Sequence, residues 1–420
     1  LLSLLYYSLF AAGVLLTLAS FVSARARLLM FYILMFMTMG GIQIEVPLLG
    51  AGMRSYLALL LLAASGRTVS RAVAWLRNAR ILHAAVMLTA YLVVSNMVLS
   101  PAPSFKTTFE NAGNFVFFLL CVAFMLEGTR RQVIWLLVVM GLGLFSNILA
   151  YMPRWVPFMS GVTIFGPIPH YQEPAGSGLF LLPLLLLALH TTRGNWTRLL
   201  ILAALILITV ATFITGARTP AIAYFVVLIL YRRRLWWALL VMTAGIVAFT
   251  LLPETTQTQR MVDRIQQLST AARTGTLQEN PDAGMRIENI RIALEGFTEK
   301  PVFGWGINSW YSYRQQQTGM LGYELSTHSG WALLLFETGL VGVFLFFYFI
   351  SRCLHGLRTR FTGSFTDDIG FVAVLLTVAI LLLSLGGDSL LKRGSYTLFG
   401  LGAYSRCARL RMETSGRERE

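Results

Sequence analysis

The residues of this sequence best suited to chemistry are a histidine at the mouth of an apolar segment and two arginines set beside glycines. His328 stands in Ser326-Thr327-His328-Ser329-Gly330-Trp331, where a long polar stretch ends and an apolar run begins. Ser or Thr at that point can cap a helix and leave the imidazole at an aqueous boundary, as a titratable base beside a membrane. Taken alone, such a histidine is more often an interfacial polar residue than a catalyst. Gly339 and Gly342 follow, three apart, and on a continuous helix they share a face that a neighbouring backbone can approach closely. Before them Glu337 falls about 13 Å down the helix from His328 at roughly 1.5 Å per residue. An ionisable side chain at that depth is a candidate for substrate binding, its competing reading being a structural pair with an arginine or hydroxyl.

Arg218 lies in Thr215-Gly216-Ala217-Arg218-Thr219-Pro220, a tight turn between two apolar runs, where Pro220 can open the second helix without losing a needed donor. Arg286 lies in Ala283-Gly284-Met285-Arg286 and precedes a helical pattern. Guanidinium forks bind phosphate in bidentate fashion, so two fixed arginines and a histidine on one side suit a diphosphate held at a bilayer surface. Snorkelling to lipid headgroups is the plainer reading for either arginine by itself. Arg154, just past a segment end, supplies a third possible cationic contact, and His170 follows Pro169 in a connecting loop.

The elements that must position these groups are set by composition. Of 420 residues, 56% are hydrophobic and only 13% charged, too few to cover a compact soluble body of this length. A bilayer removes that requirement. The net charge of 34 minus 19, or +15, reports on cytoplasmic loops and anionic headgroups, and nucleic-acid binding does not follow. Cys121, Cys353 and Cys407 lie far apart and make neither a disulfide framework nor a metal cluster.

Apolar stretches occur at about 2–23, 28–48, 82–99, 112–127, 132–151, 176–190, 198–215, 219–231, 235–252, 328–350, 369–386 and 394–405, with a shorter one at 54–66. The first lacks a basic leader and reads as a span rather than a cleaved signal. Arginines cluster at 25–27, 67–80, 130–131, 193–198, 232–234, 352–360 and 406–419, which places those connections in the cytoplasm. The alternating connections then face outward. Thirteen spans satisfy Arg25 and Arg27 inside; twelve put both termini inside. The expectation is an all-α, polytopic integral membrane bundle of about 12–13 spans. It divides into an N-terminal bundle at 1–252, an outer loop at 253–327, C-terminal membrane helices at 328–405 and a basic tail at 406–420.

The 253–327 stretch is too long for an idle connection. Met261, Ile265 and Leu268, then Ile287, Ile290, Leu294 and Phe297, recur at helical spacing among charges. Two amphipathic helices are expected, on the membrane surface or capping the bundle as a lid.

The stretch His328-Ser329, nine residues, then Gly339-Leu340-Val341-Gly342 resembles the signature of the O-antigen ligase and polymerase superfamily. Gly284-Met285-Arg286 followed by Pro301-Val302-Phe303-Gly304-Trp305-Gly306 is similar to that family's approach to its histidine, and Arg218 to its arginine at the start of a span. The resemblance covers about 200–350. It implies a bacterial inner-membrane glycosyltransferase, an O-antigen ligase, with its active site facing the periplasm. The donor would be a glycan on undecaprenyl diphosphate and the acceptor lipid A-core, with no cofactor and no metal. Membrane lipids would be further partners, and the protein would be a monomer or weak oligomer. In that scheme His328 is the base, Arg218 and Arg286 steady the leaving diphosphate, and Arg154, His170 and Glu337 contact substrate.

The residues are compatible with this. No outward Asp-x-Asp pair, His-Glu-x-x-His or Gly-x-x-x-x-Gly-Lys occurs, so metal and ATP chemistry lack their usual ligands. One departure is at 166–178, where the family often has a Gly/Asn-rich entry and this chain has Pro167, Pro169, His170, Glu173 and Pro174. The roles of His170 and Glu173 stay open. Polymerisation or transfer to a protein would use the same motif. From a different class, a lipid-linked glycan transporter would instead scatter polar residues along several spans in two related halves.

Overall fold

The structure, a computed structural model, describes residues 15–16, 18–39, 53–151, 173–214, 218–232, 243, 281–318, 327, 329–386 and 393–417. Among them every regular element is helical. In chain order the helices are α1 (Ala24–Met39), α2 (Met53–Ala64), α3 (Gly66–Asn78), α4 (Ile81–Val94), α5 (Phe105–Glu127), α6 (Arg130–Tyr151), α7 (Glu173–Thr191), α8 (Asn195–Ile214) and α9 (Arg218–Arg232). Then come α10 (Pro281–Glu299), α11 (Trp310–Thr318), α12 (Gly330–Leu354), α13 (Phe365–Leu383) and α14 (Arg393–Arg417).

Among the described residues, four helical stretches are long and apolar enough to cross a membrane: Ile81–Leu99, Phe105–Glu127, Gly330–Leu354 and Phe365–Leu383. Ala175–Thr191, Asn195–Val210 and Thr219–Tyr231 are shorter apolar stretches. The protein is an all-α, multi-pass membrane protein. The expected segment at 235–252, apart from residue 243, the helix around 261–268 and most of the opening segment lie outside the described residues.

The short stretch at 54–66 is not a simple span. The chain turns by 90° between Arg54–Ala64 and Gly66–Asn78. The reason is local: after Ala64 the run of leucines gives way to an amphipathic pattern in which Val69, Ala72 and Leu76 are buried while Arg67, Arg71 and Arg77 point outward. At the C-terminus α14 is one continuous helix over Arg393–Arg417.

The helices α14, α5 and α13 form the centre, with α12 against α4 and α14, and α7 and α9 against α13. Phe118, Phe346, Phe349, Tyr396 and Phe399 interlock there through edge-on and stacked rings. Apolar side chains gain little by leaving lipid, so close packing of this kind and hydrogen bonding hold such a bundle. At one end, arginines cap helix C-termini. Arg352 donates to Ala79 O at 3.0 Å, Arg406 to Arg352 O at 2.6 Å and Arg411 to Leu126 O at 3.3 Å, where cations complement the helix dipole.

Candidate active site

The opposite end holds the sequence neighbours of several of the candidate residues. His328 itself, Arg154 and His170 lie outside the described residues, but both neighbours of His328 are held. Ser329 caps α12, its Oγ accepting from Ala332 N at 3.4 Å, as the Ser-rich entry predicts. Thr327 Oγ1 donates to Ser329 O at 3.1 Å, and Thr327 and Ser329 are both buried. Gly330 N donates to Ser384 O at 2.8 Å, tying the start of α12 to the end of α13.

The end of α13 in turn meets the start of α9. A Cβ on Gly386 would overlap the Thr219 side chain, so the residue after Arg218 lies directly against this turn. A Cβ on Gly176 would sit 3.5 Å from Leu383 Cδ2, and one on Gly178 would sit 3.1 Å from Thr212 Oγ1. The starts of α7, α9 and α12 and the ends of α8 and α13 therefore share one end of the bundle. Arg218 opens α9, with Pro220 in the first turn as expected, and Glu173 opens α7.

Arg286 does not precede its helix but lies within α10, half-buried. The buried face of α10 also differs from the expected apolar stripe. Asn289, Ile292, Ala293 and Gly296 face inward, whereas Ile287 and Leu294 are exposed. Gly296 faces the Phe336 ring, 2.5 Å from where its Cβ would be, and Ile292 and Ala293 pack with Ala332, Trp310 and Tyr313. Arg286 lies ten residues before Gly296 along α10, or about 15 Å at roughly 1.5 Å per residue.

The expected continuous helix face at Gly339 and Gly342 is not what forms. Gly339 adopts φ 59°, ψ −166° and breaks α12 into two halves, a conformation open essentially to glycine alone. A break inside an apolar helix frees carbonyls on one side and N–H groups on the other, and each needs a partner. A single turn, Pro301–Gly306, serves both. Trp305 N donates to Phe336 O and Gly306 N to Glu337 O, each at 2.9 Å; Leu340 N donates to Pro301 O at 2.9 Å and Val341 N to Val302 O at 3.1 Å. Gly304 (φ 72°) and Gly306 (φ 96°) permit the approach, and a Cβ on Gly306 would overlap the backbone of Ser100. Gly342 instead faces Thr338 and the ring of Tyr91.

Glu337 sits at this break, buried, with Trp310 N 3.5 Å from its Oε1. Two residues that sequence reasoning missed belong to the same region. Tyr91 Oη of α4 lies 2.6 Å from Thr338 O and 2.8 Å from Phe303 O. Arg314 of α11 is buried and donates from Nε to Asn289 Oδ1 at 2.7 Å. Burial lowers the pKa of Arg314, countered by the carboxylate of Glu288. A tyrosine inside an apolar run was the available signal for the first; Arg314, in a polar run, carried none.

Residues 202–347 match a family described as O-antigen ligase. This stretch is similar to the O-antigen ligase family. The match runs from α8 through Arg218, Arg286 and the Pro301–Gly306 turn to the far side of the Gly339 break. A comparison with curated proteins finds no match. The matched stretch includes the starts of α9 and α12 and the turn that closes the broken helix.

Proposed function

We propose that the protein is an inner-membrane glycosyltransferase that moves O-antigen polysaccharide from undecaprenyl diphosphate to lipid A-core on the periplasmic side. The observation that carries this reading is the O-antigen ligase family match over residues 202–347, which includes both arginines and the histidine entry. The convergence of the starts of α9 and α12 at one end of the bundle supports it.

In the reaction, the imidazole of His328 accepts the proton of an acceptor sugar hydroxyl as that oxygen attacks the anomeric carbon. The new C–O bond forms while the bond to the diphosphate oxygen breaks, and the diphosphate leaves with the electron pair. Arg218 and Arg286 stabilise the negative charge that grows on it, a service a permanently charged fork performs in both ground and transition states. A single displacement inverts the anomeric centre. Arg154, His170 and Glu337 are assigned to substrate contacts, and the apolar helices below to the polyprenyl chain.

The test uses purified full-length protein, a polyprenyl-diphosphate glycan and rough lipopolysaccharide, with EDTA and without ATP. Transfer that persists in EDTA and disappears in His328→Ala supports the reading. Extension of the lipid-linked glycan in place of transfer to lipopolysaccharide would identify a polymerase, and no glycosyl transfer by folded wild type would overturn it.

A further inference from the structure

The break at Gly339 separates a first half-helix, Gly330–Thr338, from the remainder of α12. Glycine at the joint permits the break without itself dictating the angle between the halves. The angle must come from contacts made by other parts of the chain. The Pro301–Gly306 turn supplies backbone bonds to both halves, and one side chain from a third element joins them.

That side chain is Tyr91. Its hydroxyl reaches Thr338 O, the last carbonyl of the first half, at 2.6 Å and Phe303 O of the turn at 2.8 Å. Its ring lies against Gly342 of the second half, where an added Cβ would be 3.0 Å from Tyr91 Cε1. A phenol has one proton, so the two carbonyls share it, and the hydroxyl bridges turn and half-helix at once. The helix that carries Tyr91 is anchored in turn. Ile307 N donates to Ser95 Oγ at 3.3 Å, and Gly306 packs on the Ser100 backbone.

We propose that Tyr91 is a positioning residue: its hydroxyl sets the angle of the half-helix Gly330–Thr338, which closely follows the proposed base in sequence, and through that angle it tunes the proposed transfer. The catalytic part of this inference rests on the function proposed above. Packing alone would be satisfied by phenylalanine, which keeps the ring against Gly342; the hydroxyl is what links Thr338 to Phe303. Because reacting atoms must be placed within a fraction of an ångström, a small change in tilt lowers turnover more than binding.

The experiment compares wild type with Tyr91→Phe in two readouts on the folded, monodisperse fraction. In amide hydrogen exchange, protection over 331–338 falls by about 5-fold, as expected for the loss of one net hydrogen bond, while 343–354 keeps its protection. In the transfer assay kcat falls about 10-fold with KM for donor and acceptor unchanged. A merely structural role would lower yield or melting temperature and leave the kcat of the folded fraction alone. Unchanged exchange over 331–338 overturns the inference whatever the activity. So does an unchanged kcat in an enzyme whose wild type is active. An inactive wild type overturns the proposed function and the catalytic half of this inference together, while the exchange comparison still decides whether Tyr91 holds the half-helix.

Discussion

Gly304 and Gly339 meet backbone to backbone: a Cβ on Gly304 would stand 2.7 Å from Gly339 N, and a Cβ on Gly339 would stand 2.6 Å from Gly304 N. Neither position has room for a side chain, and both have positive φ. The turn and the broken helix are therefore a single interlocked unit, in which the polar groups freed by the break are met by residues more than thirty positions earlier.

Gly339→Ala is expected to disrupt this unit. The new methyl would collide with Val302 O at 2.5 Å and would hold a backbone conformation that costs about 1–3 kcal/mol outside glycine. Gly356→Ala provides the control, since Gly356 also has positive φ but nothing within 4 Å of its Cβ. Thermal melting in detergent should fall markedly for the first and only slightly for the second. Equal melting temperatures would refute the interlock.

His328→Ala should abolish transfer without unfolding the protein, a loss of about 10²–10⁴-fold for a missing general base. Arg286→Lys and Arg218→Lys should stay impaired, because an ammonium does not reproduce a bidentate fork. Initial rates with a polyprenyl-diphosphate donor measure all three. Near-normal turnover in any of them removes that residue from the mechanism.

Two arginines of the 281–318 region should behave differently on replacement. Arg291 donates to Glu288 and Glu295 on an exposed helix face, holding the Glu288 carboxyl below its ordinary range. Arg291→Ala should scarcely move the melting temperature, since exposed pairs of this spacing are well screened. Arg314→Leu leaves Asn289 Oδ1 without this buried donor and should destabilise by about 1–3 kcal/mol. Comparable melting of the two variants would contradict the assignment.

Gly386→Ala should reduce turnover by pressing on Thr219, the neighbour of Arg218. Adding Thr219→Ala should restore part of the loss, because residues in direct contact are coupled rather than additive. Additive losses in the four-way comparison of rates would show that this contact does not position the arginine.

Much of this was legible in the chain itself. Apolar run length and the scarcity of charge predict an all-helical membrane bundle, since a helix in lipid satisfies its own backbone. Ser329 was readable as a cap and Pro220 as a first-turn residue because both effects act within one helical turn. The histidine entry, the arginines and the glycine motif were recognisable by type and spacing, and the family match over 202–347 covers them.

What only the tertiary structure decided is how those motifs are used. Spacing places Gly339 and Gly342 on one helix face, but the fold breaks the helix between Thr338 and Leu340, because the Pro301–Gly306 turn can satisfy the groups a break exposes. Periodicity favours Ile287 and Leu294 as the inner face of α10, yet Asn289 and Gly296 are buried instead. A helical wheel assumes that the outer face is wet and polar, an assumption that loses force in a chain that spans a bilayer. Tyr91 and Arg314 act through partners far away in sequence, Phe303 and Thr338 for one and Asn289 for the other. Such pairings are long-range, and they exist only once the helices have packed.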